Sequence, residues 1–192
     1  GAILNPINIR LTPGDIAYIL NPAGSTFLFF HQDFAPLVQA IRPLLTAAKC
    51  FVVMEGECAE PATHEYEQLL ASASPAYHKP ALDENDIAEL FYTSGTTGLP
   101  KGVATTHRAL YLHALNIGMG IRSSDADVIL HIVPLFHVNG WGTPQLLTAV
   151  GGTHVMLRKF DPAVCFALVQ RHRVTRMIGV PAMFNAILHH PD

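Results

Sequence analysis

Short apolar runs alternate with segments whose apolar residues recur three and four positions apart, and this alternation continues along nearly the whole chain. That pattern constrains the fold more than anything else in the sequence. Strands joined through helices pair in parallel and need cover on both faces. The strand-like runs are Ala2–Ile9, Thr26–Phe30, Phe51–Met54, Ile87–Tyr92, a short one at Val103-Ala104, Val128–Val133, Thr153–Leu157 and Met177–Val180. Between them lie helix signals. Thr12-Pro13-Gly14-Asp15 reads as an N-cap, a proline at the first helical position and a carboxylate reaching back, with Ile16, Ile19 and Leu20 as the apolar face. Leu37, Ala40, Ile41, Leu44 and Leu45 keep helical spacing, and Pro43 should kink or shorten that helix. Helices are also expected over about His107–Asn116 and Trp141–Val150. Asp161-Pro162 opens another, with Val164, Leu168 and Val169 turned inward, and Pro181 opens a last one. Residues 56–86 are polar and dotted with prolines, and read as a surface excursion with a short helix near Tyr66–Leu70. The fold class is therefore α/β, with layered parallel sheets flanked by helices.

The run Ile87–Tyr92 delivers the chain into Thr93-Ser94-Gly95-Thr96-Thr97-Gly98-Leu99-Pro100-Lys101-Gly102-Val103. Glycines let backbone N–H groups approach oxygen anions, hydroxyls add donors and can ligate Mg2+, and a lysine brings a compact charge with three donors. The chemistry suits a polyphosphate. The spacing is not that of a Walker loop, because Pro100 stands where the second glycine belongs and Gly102 follows Lys101. The Rossmann glycine pattern is absent too. On composition alone, a surface turn without a ligand fits as well.

As a contiguous string, residues 92–103 resemble the signature loop of the AMP-forming adenylating enzymes, which include acyl-CoA synthetases, aryl-CoA ligases, luciferases and peptide-synthetase adenylation domains. The resemblance implies a two-step reaction: a carboxylate attacks the α-phosphorus of ATP, and a thiol, usually that of CoA, then takes the acyl group. It implies that Ser94, Gly95, Thr96, Thr97 and Gly98 wrap the β- and γ-phosphates, that Lys101 pairs with them, and that Thr93 contacts both ATP and Mg2+. The implied fold is part of the N-terminal domain of an acyl-CoA synthetase, with residues 1–124 as one αβ lobe and 125–192 as the beginning of a second.

Pro134-Leu135-Phe136-His137-Val138-Asn139-Gly140-Trp141 follows the Val128 run, at a strand's carboxyl end, where open α/β sheets place ligands. It resembles the P-x-F-H-x-x-G/A segment lining the carboxylate pocket of CoA ligases. By that match His137 is a substrate-binding and candidate catalytic residue, and Trp141 closes an acyl tunnel, as in medium- and long-chain ligases. A hydrogen-bonded core histidine and ordinary packing of an indole are the plainer readings. Lys159 matches a lysine that contacts the CoA nucleotide, though a solvated lysine before a helix cap reads equally well. His107-Arg108 matches a pair common in the family, and a capping or packing role is the simpler one.

Bulk properties narrow the partners. Net charge is -3 and no basic cluster exceeds Arg171-His172-Arg173, which argues against nucleic acid. Only 14% of residues are charged, against about 25% in average soluble domains. No apolar run approaches the ~20 residues of a membrane-spanning helix, so a surface normally covered by something else is the preferred explanation. Cys50, Cys58 and Cys165 are odd in number and lack C-x-x-C spacing, which suits a reducing cytoplasm, and the resemblance also admits peripheral membrane association and a homodimer. The eleven histidines show no zinc-site spacing.

The sequence begins inside an apolar run and holds no Y-G-x-T-E segment, so we expect a piece of a longer enzyme, poorly active alone. Its partners would be a carboxylic acid, CoA and the rest of the same polypeptide. A medium- to long-chain acyl-CoA synthetase is the leading expectation. The others are an aryl-CoA ligase, a carrier-protein-loading domain, and a truncated nucleotide-binding module without catalysis.

Overall fold

A computed structural model describes residues 1–77, 79–93, 98–137, 140 and 142–191. Contacts divide the chain into two units. One comprises residues 1–82 and 89–104, the other residues 83–88 and 105–192.

In the first unit, α1 (Pro13–Leu20) starts as its sequence dictates. Thr12 accepts from the Asp15 amide while the Asp15 carboxylate accepts from the Thr12 amide, and Ile16, Ala17, Ile19 and Leu20 are buried. A parallel sheet of order β1-β2-β3 is formed by Phe27–Phe30, Cys50–Val53 and His64–Glu65. The α2 helix (Ala35–Ile41) gives way to a single 3-10 turn, Arg42–Leu44, where Pro43 cannot continue the α-helical ladder. Val38 of α2 packs with Phe30, Phe51 and Val53 on one face of the sheet. On the other face, Phe27 and Phe29 stay exposed and stack on each other. The excursion that follows holds α3 (Tyr66–Ser72).

The expected strand over Ala2–Ile9 is not formed. A single bridge joins Leu4 to Glu89, and Ile3 and Leu4 are exposed. Pro6 has no N–H to continue a ladder, so apolar composition alone does not make a strand here.

Strands β4 (Ile87–Thr93) and β5 (Lys101–Thr106) form a separate two-stranded sheet. Strand β5 begins at Lys101, two residues earlier than its apolar signal at Val103.

The second unit holds α4 (His107–Ile121), longer than its periodicity predicted, with Thr106 as N-cap and Arg122 in the left-handed region closing it. Parallel strands β6 (Val128–His131), β7 (Thr153–Met156) and β8 (Arg176–Ile178) follow in the order β7-β6-β8. Helix α5 (Thr143–Val150) ends on Gly151, α6 (Pro162–His172) starts on Asp161, and α7 (Pro181–Leu188) follows β8. Asp161 accepts from the amides of Ala163 and Val164, as its N-cap position requires. The buried residue of α6 is Cys165, whereas Val164, expected inward, is 43% exposed. Leu168 and Val169 pack with Cys165, Leu130 and Val155, as their spacing implied.

Asp127 ties this unit together. It accepts from Arg176 Nε at 2.7 Å, the Ser124 amide at 2.9 Å and Ser123 Oγ at 2.8 Å. The Arg176 hydrogen bond, more than anything else, holds its carboxyl well below the usual carboxylate range. Arg176 also donates to the carbonyls of Ile121 and Arg122, so one ion pair joins the end of α4 to β6 and β8.

Candidate functional site

Of the residues expected to grip phosphate, Ser94, Gly95, Thr96 and Thr97 lie outside the described residues. Their flanks are described. Thr93 is the exposed last residue of β4, and Lys101 the exposed first residue of β5. The segment is thus held between paired strands. Gly98 has φ +115°, a backbone state that side chains rarely adopt, and nothing crowds its α-carbon. The Lys101 ammonium has no hydrogen-bond or ion-pair partner among the described residues. Gly98 in that conformation, the Lys101 ammonium and the Thr93 hydroxyl are groups of the kind that suit an anionic phosphate. Among the described residues, no group of three His, Cys, Asp or Glu could hold a metal ion. Thr93 supplies one neutral oxygen, and Mg2+ needs further oxygen ligands.

The Pro134 segment leaves β6 at the carboxyl edge of its sheet. Two successive turns shape it: the His137 amide donates to the Pro134 carbonyl at 3.0 Å, and the Gly140 amide to the His137 carbonyl at 3.2 Å. His137 is exposed at the outer corner, while Gly140 is buried with φ +60°. The imidazole is therefore presented outward, and the core histidine considered from sequence is not what forms at position 137. Trp141 lies outside the described residues. Lys159 is exposed in the bend between β7 and α6. Arg108 has a structural partner, pairing with Glu84 at 2.7 Å.

Sequence reasoning passed over His131, His154 and Thr143. His131, the last residue of β6, is buried, and its Nε2 lies 3.0 Å from Nδ1 of His154 on β7. The two ring planes lie within 15° of each other, with centroids 5.1 Å apart. Burial, followed by the neighbouring His154, pushes the His131 pKa down to about 4. Thr143 Oγ1 lies 3.4 Å from His131 Nδ1 and donates to the Gly140 carbonyl at 2.8 Å. The signal for this cluster was parity: His131 falls on the same face of β6 as Ile129, and a histidine recurs at the corresponding parity in β7.

With the strand-borne loop and the turn at the sheet edge in place, the chain can be compared with known proteins. The AMP-binding enzyme family matches over residues 1–192. The chain belongs to that family. Among curated relatives, it is 42% identical over 190 residues to a long-chain-fatty-acid–CoA ligase of Thermus thermophilus, covering 97% of this chain and 34% of that protein. It is 40% identical over 197 residues to a 3-methylmercaptopropionyl-CoA ligase of Ruegeria pomeroyi, covering 98% of this chain and 36% of that protein. A crystal structure of an anthranilate CoA ligase in complex with anthranoyl-AMP superposes with a TM-score of 0.90 at 26% identity, covering 100% of this chain and 38% of that one. The curated relatives are acyl-CoA ligases, and the chain spans about a third of their length. No described helix is long and apolar enough to cross a membrane.

Proposed function

We propose that this chain is the part of an ATP-dependent, AMP-forming acyl-CoA ligase that holds the ATP phosphates and one wall of the acid pocket. The observation that carries the reading is the unbroken string 92–103, suspended between two paired strands in a chain of the AMP-binding family. In this reading Ser94, Gly95, Thr96, Thr97 and Gly98 wrap the β- and γ-phosphates. Lys101 offsets the charge that collects on departing pyrophosphate, a positioning and electrostatic contribution. Thr93 provides one oxygen for Mg2+, which when bound neutralises phosphate charge. The remaining metal ligands would come from elsewhere in the longer enzyme.

His137 meets the acyl carboxylate or its adenylate, and Trp141 bounds the acyl channel. Lys159 meets CoA. The division at residue 124 into two αβ lobes, a homodimer and a cytoplasmic location, with membrane-peripheral association as its variant, belong to the same proposal. The name of the Thermus relative supports a long-chain acid and that of the Ruegeria relative a short thioether acid. An aryl acid is the second reading, favoured by the close superposition on the anthranilate ligase.

The test is carboxylate-dependent exchange of pyrophosphate into ATP by the full-length protein, run over fatty, thioether and aryl acids. Exchange with one class assigns the substrate, and silence with all of them rejects the proposal. A charged hydrogen bond contributes ~1.5–3 kcal/mol, so Lys101→Ala should weaken ATP use roughly ten- to 150-fold. Unaltered exchange kinetics in that variant would remove Lys101 from the site.

A further inference from the structure

His131 and His154 lie beside the turn assigned to the acid, yet neither is part of it. His131 is buried and aims Nδ1 at Thr143 Oγ1. The Thr143 hydroxyl has one proton, and the 2.8 Å contact places that proton on the Gly140 carbonyl. Thr143 therefore accepts from His131, which makes Nδ1 the protonated nitrogen of His131. Its Nε2 then carries a lone pair and accepts from Nδ1–H of His154 at 3.0 Å. At the far end, His154 Nε2 lies 3.2 Å from Thr148 Oγ1, which is itself 2.8 Å from the Pro144 carbonyl. One chain of directional bonds thus runs from α5 through β7 and β6, and back to Gly140 in the turn.

We propose that His131 and His154 are positioning residues, which fix the Gly140 carbonyl and with it the His137 turn through a single chain of hydrogen bonds.

The surroundings leave these two rings to answer each other. Helix α5 carries no charged residue. From β8, Arg176 is bound to Asp127 at the opposite end of β6. Cys165 of α6 packs with Leu130, on the other face of the strand. His113 of α4 lies against Gly142. The space bounded by Ile129, His131, Val133, Gly140, Thr143 and Ile178 is too narrow to admit water, so the buried His131 end of the chain has no solvent to replace a link, whereas His154 and Thr148 are exposed.

The meaning of the chain for acid binding rests on the function proposed above, but its existence does not, and two measurements separate them. On this 192-residue chain, 15N imidazole spectra should show the Nδ1–H tautomer for both neutral rings. An Nε2–H tautomer of either ring overturns the chain. In the full-length enzyme, His131→Ala should raise KM for the acid on the order of five- to ten-fold, the loss of about one hydrogen bond, with KM for ATP unchanged. His154→Asn retains a donor at the Nδ1 position and should keep KM for the acid near wild type, whereas His154→Leu removes the donor and should raise that KM by roughly the same factor as His131→Ala. Should His131→Ala fail to fold, the two His154 variants decide alone, and equal KM values for the acid in both overturn the proposal. No exchange in the wild-type enzyme would reject the functional reading, and the spectra would still judge the hydrogen-bond chain.

Discussion

Gly142 carries more constraint than its place in an apolar helix suggests. It caps α5 with φ +71°, and a side-chain carbon placed on it would lie 2.5 Å from Cδ2 of His113. An L-residue in that backbone state costs about 1–2 kcal/mol before any clash. Gly142→Ala should therefore lower Tm by roughly 2–8 °C in a thermal melt of the chain, and a melt that does not move would show that the backbone there relaxes freely. Lys101, by contrast, could be proposed from its string alone, on its charge and its neighbours in sequence. His131 could not. Its burial and its bond to His154 depend on which strands lie side by side.

At the level of elements, most helices begin where the caps place them. Thr12, Asp161 and Pro181 open α1, α6 and α7, since capping is a contact between residues a few positions apart. Strands were less legible. Residues 2–9 are apolar but form one bridge, and β5 starts at the polar Lys101 because pairing with β4 decides its length. Between elements, the Asp127–Arg176 pair joins α4, β6 and β8. Leaving Arg176 without its carboxylate should cost about 3 kcal/mol at neutral pH in Asp127→Asn, the low end for a pair that is partly exposed. The sign of its pH dependence follows from the lowered carboxyl pKa. The contribution is complete above the unfolded value of about 3.9 and declines as pH falls below it. Urea unfolding at pH 7 and pH 3 should show the wild-type advantage shrinking by about 1 kcal/mol. An advantage that grows on acidification would contradict the assignment. His131 works in the same direction: held neutral with a pKa near 4, it too removes stability as pH falls below about 6.5.

At the scale of the molecule, apolar side chains stand exposed in each unit. Phe27 and Phe29 lie open on β1, and Tyr111, Leu112, Leu115 and Met119 form a stripe along α4. This agrees with the low charge content read from the sequence. The isolated chain should bind an apolar fluorescent dye under native conditions and associate as concentration rises, as exposed apolar patches do. A dye-silent monomer at high concentration would show these side chains to be less accessible than their exposure implies.

The sequence by itself determined the α/β alternation, the main helix starts and the family, because each depends on neighbours along the chain and survives any packing. Only the tertiary structure decided that His137 faces outward while His131 is buried, that Cys165 rather than Val164 enters the core, and that Asp127 finds Arg176 forty-nine residues away. Those outcomes come from strand order and helix docking, which bring together groups whose separation along the chain holds no record of their distance in space.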